Sequence, residues 1–233
     1  MKKTLIVTGG SLDIDFARRY VTLQKFDDFI ASDAGMHFFD AAGITPREIV
    51  GDFDSANVKV LQKYREDPAV RIHTYDPKKD YTDTELALRL ALTRGADEIH
   101  ILGATGTRLD HMLGTVHVLG LALLKNVPCF LIDPYNRLSL IGEGKTVLKK
   151  ERQYGKYVSL IPLTTRALGV TLKGFLYPLQ DGTLDAFQSL GLSNEIIEDE
   201  ASVEIREGVV ILAESSDKAV DIKGFLNPDL RFL

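Results

Sequence analysis

Three acidic clusters carry the chemistry that can be read from this chain: Gly51-Asp52-Phe53-Asp54-Ser55, Lys79-Asp80-Tyr81-Thr82-Asp83 and Gly106-Thr107-Arg108-Leu109-Asp110-His111. Each follows a short apolar run with strand character and precedes a stretch with helix character. That spacing predicts that all three gather at the carboxyl edge of one parallel sheet, where open α/β sheets bind ligands. Asp52, Asp54, Asp80, Asp83 and Asp110 would repel one another there unless divalent cations or a cationic partner compensated them. A magnesium–nucleotide site is the economical explanation.

Each cluster also has a simpler reading. Asp52 and Asp54, two residues apart in an extended turn, would leave on the same side and suit a hard cation with oxygen ligands; equally, Asp54 or Ser55 could cap the next helix. Thr82-Asp83-Thr84-Glu85 fits a capping box, with Thr82 at the cap and Glu85 reaching back. Capping leaves Lys79 and Asp80 unexplained: Lys79 could reach a phosphate, although an exposed loop lysine is the commoner outcome. Gly103-Ala104-Thr105-Gly106-Thr107 offers small residues and free amides between strand and helix, and Arg108 adds a bidentate cation. Asp110 and His111 then open the helix, where a plain first-turn acid and a capping or packing histidine are the simpler readings. Gly9-Gly10-Ser11 is a weaker version of the same device. Ser139-Leu140-Ile141-Gly142-Glu143-Gly144-Lys145-Thr146 has a serine in place of the first glycine of a P-loop and β-like flanks, and reads instead as a joint between domains.

The elements that must position these clusters follow from periodicity. Thr4 to Thr8, Phe29 to Ser32, Glu48 to Val50, Arg71 to Tyr75, Glu98 to Leu102 and Cys129 to Ile132 read as strands. Thr84 to Arg94 and Asp110 to Lys125 read as helices. Their alternation implies right-handed βαβ units and a parallel, Rossmann-like sheet. After Asp133 the runs are short and rich in β-branched residues, and Glu204 to Ile211 reads as a hairpin turning at Glu207-Gly208. The expected fold is an α/β domain over residues 1–143 followed by a small all-β sandwich over residues 144–233.

The chain has 233 residues and a formal net charge of −5, with no basic run, which argues against nucleic acid as a partner. Its single cysteine, Cys129, sits in an apolar run and reads as a core residue. No apolar run has the length of a signal peptide or a membrane span, so a cytoplasmic protein without a membrane partner is expected.

Taken together, Ser32-Asp33-Ala34-Gly35, Gly51-Asp52-Phe53-Asp54-Ser55, Lys79-Asp80-Tyr81-Thr82-Asp83 and Gly103 to His111 closely resemble the thiamine pyrophosphokinase family across the whole chain. That family shows an ADGG-like turn, a GDFDS turn, a KDxTD turn and a glycine-rich turn ending in RxDH, then a β-sandwich. The resemblance implies transfer of a pyrophosphoryl group from ATP to the hydroxyl of thiamine, giving thiamine diphosphate and AMP. It implies Mg2+ on Asp52, Asp54 and Asp83, and a catalytic group that also includes Asp80, Arg108 and Asp110. Asp33, Lys79, Thr82, Gly103, Thr105, Gly106 and Arg108 are implied to line the nucleotide side, and Ser193 and Asn194 the thiamine site. It further implies a homodimer with composite active sites. The chain departs from the pattern in having Ala34 where glycine is usual and in having no tryptophan to lie against the thiamine ring. Two rivals are a haloacid-dehalogenase-type phosphatase using Asp52 and Asp54, and a nucleotide- or metabolite-sensing module without turnover.

Overall fold

The computed structural model describes residues 1–54, 57–76, 78, 80–106 and 108–222. The chain divides into two compact units, one of Met1–Arg18 with Lys25–Asp133 and one of Arg19–Gln24 with residues from Pro134 onward.

In the first unit six strands, β1 (Lys3–Val7), β2 (Asp28–Ser32), β3 (Glu48–Gly51), β4 (Arg71–Thr74), β5 (Glu98–Leu102) and β6 (Cys129–Ile132), form a parallel array in the order β4-β3-β2-β1-β5-β6. Helices α1 (Ile14–Gln24), α2 (Met36–Ala42), α3 (Val58–Arg65), α4 (Asp83–Thr93), α5 (Leu109–Val118) and α6 (Gly120–Leu123) connect them. Near-continuous burial of Leu5 to Val7, Ile30 to Ser32, Ile49 to Gly51 and Ile99 to Leu102 accounts for the unbroken apolar runs, as parallel strands are covered on both faces. The chain leaves β1 on one side to build β2, β3 and β4, then returns to its other side as β5. The crevice outside the carboxyl ends of β1 and β5 is therefore the switch point where ligands bind in such sheets. The helix expected over Asp110 to Lys125 is divided at Leu119, next to Gly120, a weak helix former.

The second unit holds β7 (Asn136–Ile141), β8 (Gly144–Lys149), β9 (Tyr157–Pro162), β10 (Arg166–Lys173), β11 (Leu179–Asp185), β12 (Glu200–Ile205) and β13 (Val210–Ser215). β13 pairs antiparallel with β7 and β9, while β10, β11, β12 and β8 form a separate antiparallel sheet. Val158, Leu160 and Leu212 from the first group and Val170, Leu172, Val203 and Ile205 from the second share one buried core, the arrangement of a sandwich. The division at Asp133/Pro134, rather than at the expected 143/144, follows from β7 pairing with β13. The P-loop-like segment is the β7–β8 connection inside this unit.

The expected hairpin at Glu207-Gly208 is replaced by a corner. β12 belongs to the four-stranded sheet and β13 to the other, so the chain changes sheets there. Arg206 N still donates to Leu168 O, while Val209 O already accepts from Leu163 N. Gly208, at φ +105°, supplies the backbone conformation the corner needs. β11 has no counterpart in the sequence reading: its residues are largely polar because it is the outer strand of its sheet.

Candidate functional site

A cavity of about 440 Å³ opens at the carboxyl edge of the parallel strands. It is lined by Thr8 to Gly10 after β1, Ser32 and Asp33 at β2, Asp52 after β3, Tyr81 to Thr84 at the start of α4, and Gly103, Ala104, Gly106, Arg108, His111 and Thr115 around the start of α5. Segments far apart in sequence meet there because parallel strands all end on the same edge.

Two glycine-rich turns make the floor. A side chain on Gly10 would run into the carbonyl oxygen of Gly103, and one on Gly106 would meet the Ser11 backbone and side chain. Thr8 N donates to Leu102 O at 2.9 Å, tying the ends of β1 and β5 together. The turns press on each other backbone to backbone, which leaves the cavity shallowly lined and its amides close to any occupant.

The acids differ in their surroundings. Asp33 stands at φ +49° immediately after β2, and its Oδ1 is buried with no hydrogen-bond partner among the described residues. Burial pushes its pKa up, the Ala34 backbone amide partly opposes this, and the negative charges of Asp83 and Asp52 raise it further. Asp33 thus lies within electrostatic reach of Asp83 and Asp52 in one cavity. Asp52 is oriented by accepting from the Asp54 backbone N–H at 3.2 Å, across Phe53 at φ +62°. That left-handed residue breaks the extended geometry assumed for the pair; Asp52 lines the cavity and the exposed Asp54 does not. Asp83 is the first residue of α4, whose cap is Thr82, accepting from Glu85 N at 3.2 Å. The capping box is only half formed, because the Glu85 carboxylate turns instead to Arg89 at 2.7–2.9 Å.

Arg108 and Asp110 form a two-pronged pair at 2.6 and 3.2 Å, both exposed. Asp110 is held below the usual carboxylate range by this guanidinium, and Arg108 is raised in turn. The guanidinium lines the cavity while Asp110 holds it from the rim. Thr105 and Asp80 adjoin lining residues without lining the cavity themselves. Lys79, and Ser55 and Thr107 of the motifs, lie outside the described residues.

Ser193 and Asn194 belong to the second unit. Asn194 is 5% exposed and its side chain is engaged: Oδ1 accepts from the Tyr177 and Glu195 amides at 2.9 Å, and Nδ2 donates to Tyr177 O at 2.8 Å. Ser193, at φ +54° and exposed, is held through its backbone N–H on Ser159 Oγ at 2.9 Å. Asn194 thus shapes the Tyr177 loop, and Ser193 presents a side chain outward.

Thr8, Tyr81 and Thr115 line the cavity without having been singled out. Thr115 lies one helical turn beyond His111, a spacing that places it on the same face of α5. Tyr81, exposed at the rim, lies under the Arg89 guanidinium at 5.0 Å from its ring centroid.

Among the described residues, no three His, Cys, Asp or Glu side chains are already gathered as a metal-holding group. The orphaned Asp33 Oδ1, with Asp52 and Asp83 raising its pKa, nevertheless fits a hard cation, whose oxygen-ligand preference these carboxylates match. Among the described residues no helix is long and apolar enough to cross a membrane.

Two family models match in the same order as the two units: the thiamin pyrophosphokinase catalytic domain over residues 21–131, and the thiamin pyrophosphokinase vitamin B1 binding domain over residues 145–210. The thiamine pyrophosphokinase of Bacillus subtilis (strain 168) is 34% identical over 221 residues, covering 93% of this chain and all (100%) of that protein. A crystal structure of thiamine pyrophosphokinase from Bacillus subtilis has a TM-score of 0.83 at 31% identity, covering 93% of this chain and 100% of that one. A crystal structure of the Geobacillus thermodenitrificans thiamin pyrophosphokinase gives 0.78 at 30% identity, covering 92% and 98%. With both units matched and similarity running through full-length relatives, the chain belongs to the thiamine pyrophosphokinase family.

Proposed function

We propose that the cavity at the carboxyl edge performs the reaction of this family, transferring the pyrophosphoryl group of ATP to the hydroxyl of thiamine and releasing AMP. The observation that carries the assignment is the acidic rim of Asp33, Asp52 and Asp83, which shares one cavity with glycine-rich turns and Arg108. Transfer of this kind needs positioning and charge neutralisation more than covalent participation by the protein.

Asp52 and Asp83 are assigned to Mg2+, with Asp54 joining from the same turn and Asp33 adjoining them. Magnesium held there would neutralise charge on the polyphosphate. Arg108 and the amides of Gly103 and Gly106 face the phosphates, and the assignment adds Thr105, Thr82 and Lys79 to this nucleotide-binding side. Asp110 restrains the Arg108 fork. Asp83 or Asp80 accepts the proton of the thiamine hydroxyl. Ser193 and the Asn194-supported loop are assigned to the thiamine side, in composite sites of a homodimer. Leu176, Tyr177, Phe187, Leu190, Leu192 and Ile197 are exposed in the second unit and are apolar surface available to such an interface. A cytoplasmic location agrees with Cys129 being a buried free thiol whose pKa burial pushes up.

A dehalogenase-type phosphatase would place its aspartate nucleophile at the end of a first strand, whereas Asp52 follows β3. The deciding assay follows nucleotide products from ATP, magnesium and thiamine. Thiamine-dependent AMP is expected; binding of both compounds with no AMP would leave a sensing module, and ADP would indicate single phosphoryl transfer.

A further inference from the structure

The edge of the parallel sheet opposite the cavity carries a second charged assembly, and it reaches the site through α4. Asp28 opens β2 and Glu48 opens β3, with side chains 2% and 1% exposed. Arg94, the residue that ends α4, spans them: Nε donates to Asp28 at 3.2 Å and Nη1 to Glu48 at 2.7 Å. Its own carbonyl accepts from Lys2 Nζ at 3.1 Å, and Lys2 also pairs with Asp28 at 2.7 Å. His73 of β4 lies 2.6 Å from the other oxygen of Glu48.

The same three elements carry site acids at their far ends. β2 runs from Asp28 to Ser32 and into Asp33; β3 runs from Glu48 to Gly51 and into Asp52; α4 runs from Asp83 to the Arg94 cap. β2 and β3 are held in register by their backbone ladder, Ile30 facing Glu48 and Ser32 facing Val50. A helix lying on strands has no such ladder. The fully buried residues of α4 are Ala87, Leu88 and Ala91, with Leu86, Leu90 and Leu92 partly buried, and apolar packing of this kind lacks the directional geometry of a hydrogen bond. The guanidinium fork, with fixed geometry on two anchored carboxylates, supplies it.

We propose that Arg94 is a positioning residue for the reaction: it sets how far α4 extends along β2 and β3, and so where Thr82 and Asp83 stand relative to Asp33 and Asp52. This rests on the cavity being the reacting site. Replacing Arg94 by Met keeps the stem and removes the fork, but leaves two buried carboxylates short of a partner, so stability falls as well. The triple variant Asp28→Asn, Glu48→Gln, Arg94→Met removes that uncompensated charge along with the fork and separates the two effects.

Three measurements are made on each protein: the thermal unfolding midpoint, thiamine-dependent kcat/KM for ATP well below that midpoint, and hydrogen exchange at the amides of Glu85 and Leu86 in the first turn of α4. The expected result is that the triple variant regains most of the midpoint lost by Arg94→Met. Its kcat/KM should stay down on the order of 10- to 100-fold, the scale of a misplacement of about 1 Å, and exchange at Glu85 and Leu86 should be faster than in the wild type. Arg94→Lys should recover stability more than activity. Activity returning in step with stability, or unchanged exchange at the first turn, would overturn the positioning role. If Arg94→Met does not fold, the triple and Arg94→Lys proteins decide on the same readouts. A wild-type protein that releases no AMP would remove the functional assignment, while exchange at α4 still tests the clamp.

Discussion

At the amino ends of β2, β3 and β5, each buried carboxylate lies within hydrogen-bond distance of a base: Asp28 on Lys2 and Arg94, Glu48 on Arg94 and His73, Glu98 on Lys3 at 2.9 Å and His100 at 2.6 Å. At the carboxyl ends of β2 and β3, Asp33 and Asp52 share a cavity with Asp83, and Asp33 Oδ1 has no hydrogen-bond partner among the described residues. The titration behaviour separates in the same way. Burial would raise Glu98, but hydrogen bonding and charge from His100 and Lys3 win and bring it down to about 2, and Asp28 is likewise lowered by Lys2 and Arg94; Asp33 is raised. One sheet thus carries acids paired with bases at one edge and, at the other, a cavity in which three acids meet. The first arrangement serves the fold; the second is the one proposed above to hold a cation and a polyphosphate.

The largest expected consequence is at the open edge. Asp52→Asn keeps size and still accepts from the Asp54 amide, so turnover should fall on the order of 10³-fold, as for loss of a preorganised electrostatic group, with little change in the unfolding midpoint. Product formation per folded molecule, set beside thermal melts, checks both halves. A comparable loss of folding would erase the distinction between the edges.

The converse change belongs to the balanced edge. Glu98→Ala removes the buried carboxylate that both Lys3 and His100 contact and should destabilise the fold by about 3 kcal/mol, with activity per folded molecule retained. Denaturant unfolding with parallel assays reads this, and selective loss of activity would place Glu98 in the site's machinery.

Arg108→Lys is smaller again. Lysine keeps the charge and loses the fork now held by Asp110, so about a tenfold loss in kcat/KM for ATP is expected, the worth of one charge-assisted hydrogen bond. Steady-state kinetics equal to those of the wild type would remove Arg108 from the phosphate side.

The mildest effect is in acid. Glu98 in the folded protein titrates near 2 against an ordinary value of about 4.5. Its contribution is fully present above the higher value and is lost as pH falls through the window between them. Glu98→Gln should flatten that part of the stability profile measured by chemical denaturation from pH 5 downward; an unchanged slope would mean other carboxylates dominate.

The open edge was far more legible in the sequence than the balanced one. Acids beside glycines at strand ends stand out because no packing requirement explains them, and Asp33, Asp52, Asp83, Gly103, Gly106 and Arg108 all line the cavity. Asp28, Glu48, Glu98 and Arg94 each look like ordinary charged residues at an element boundary; their meaning lies in distant partners, such as Lys2 for Arg94, 92 residues away. Local backbone geometry was hidden too. Phe53 at positive φ separates Asp52 from Asp54, and the corner at Gly208 sends β13 to a different sheet, although alternation there reads as a hairpin. The sandwich was legible as a class, but the polar β11 was missed because an outer strand need bury only one face.

The account stands most directly on magnesium–ATP binding measured by its effect on unfolding. The wild type and Glu98→Gln should both gain stability with added magnesium–ATP, by the same increment although the second starts lower, and Asp52→Asn should gain little, because a ligand stabilises only a protein that binds it. A full ligand-induced shift in Asp52→Asn, or its loss in Glu98→Gln, would contradict the division between an edge that waits for charge and an edge that already has it.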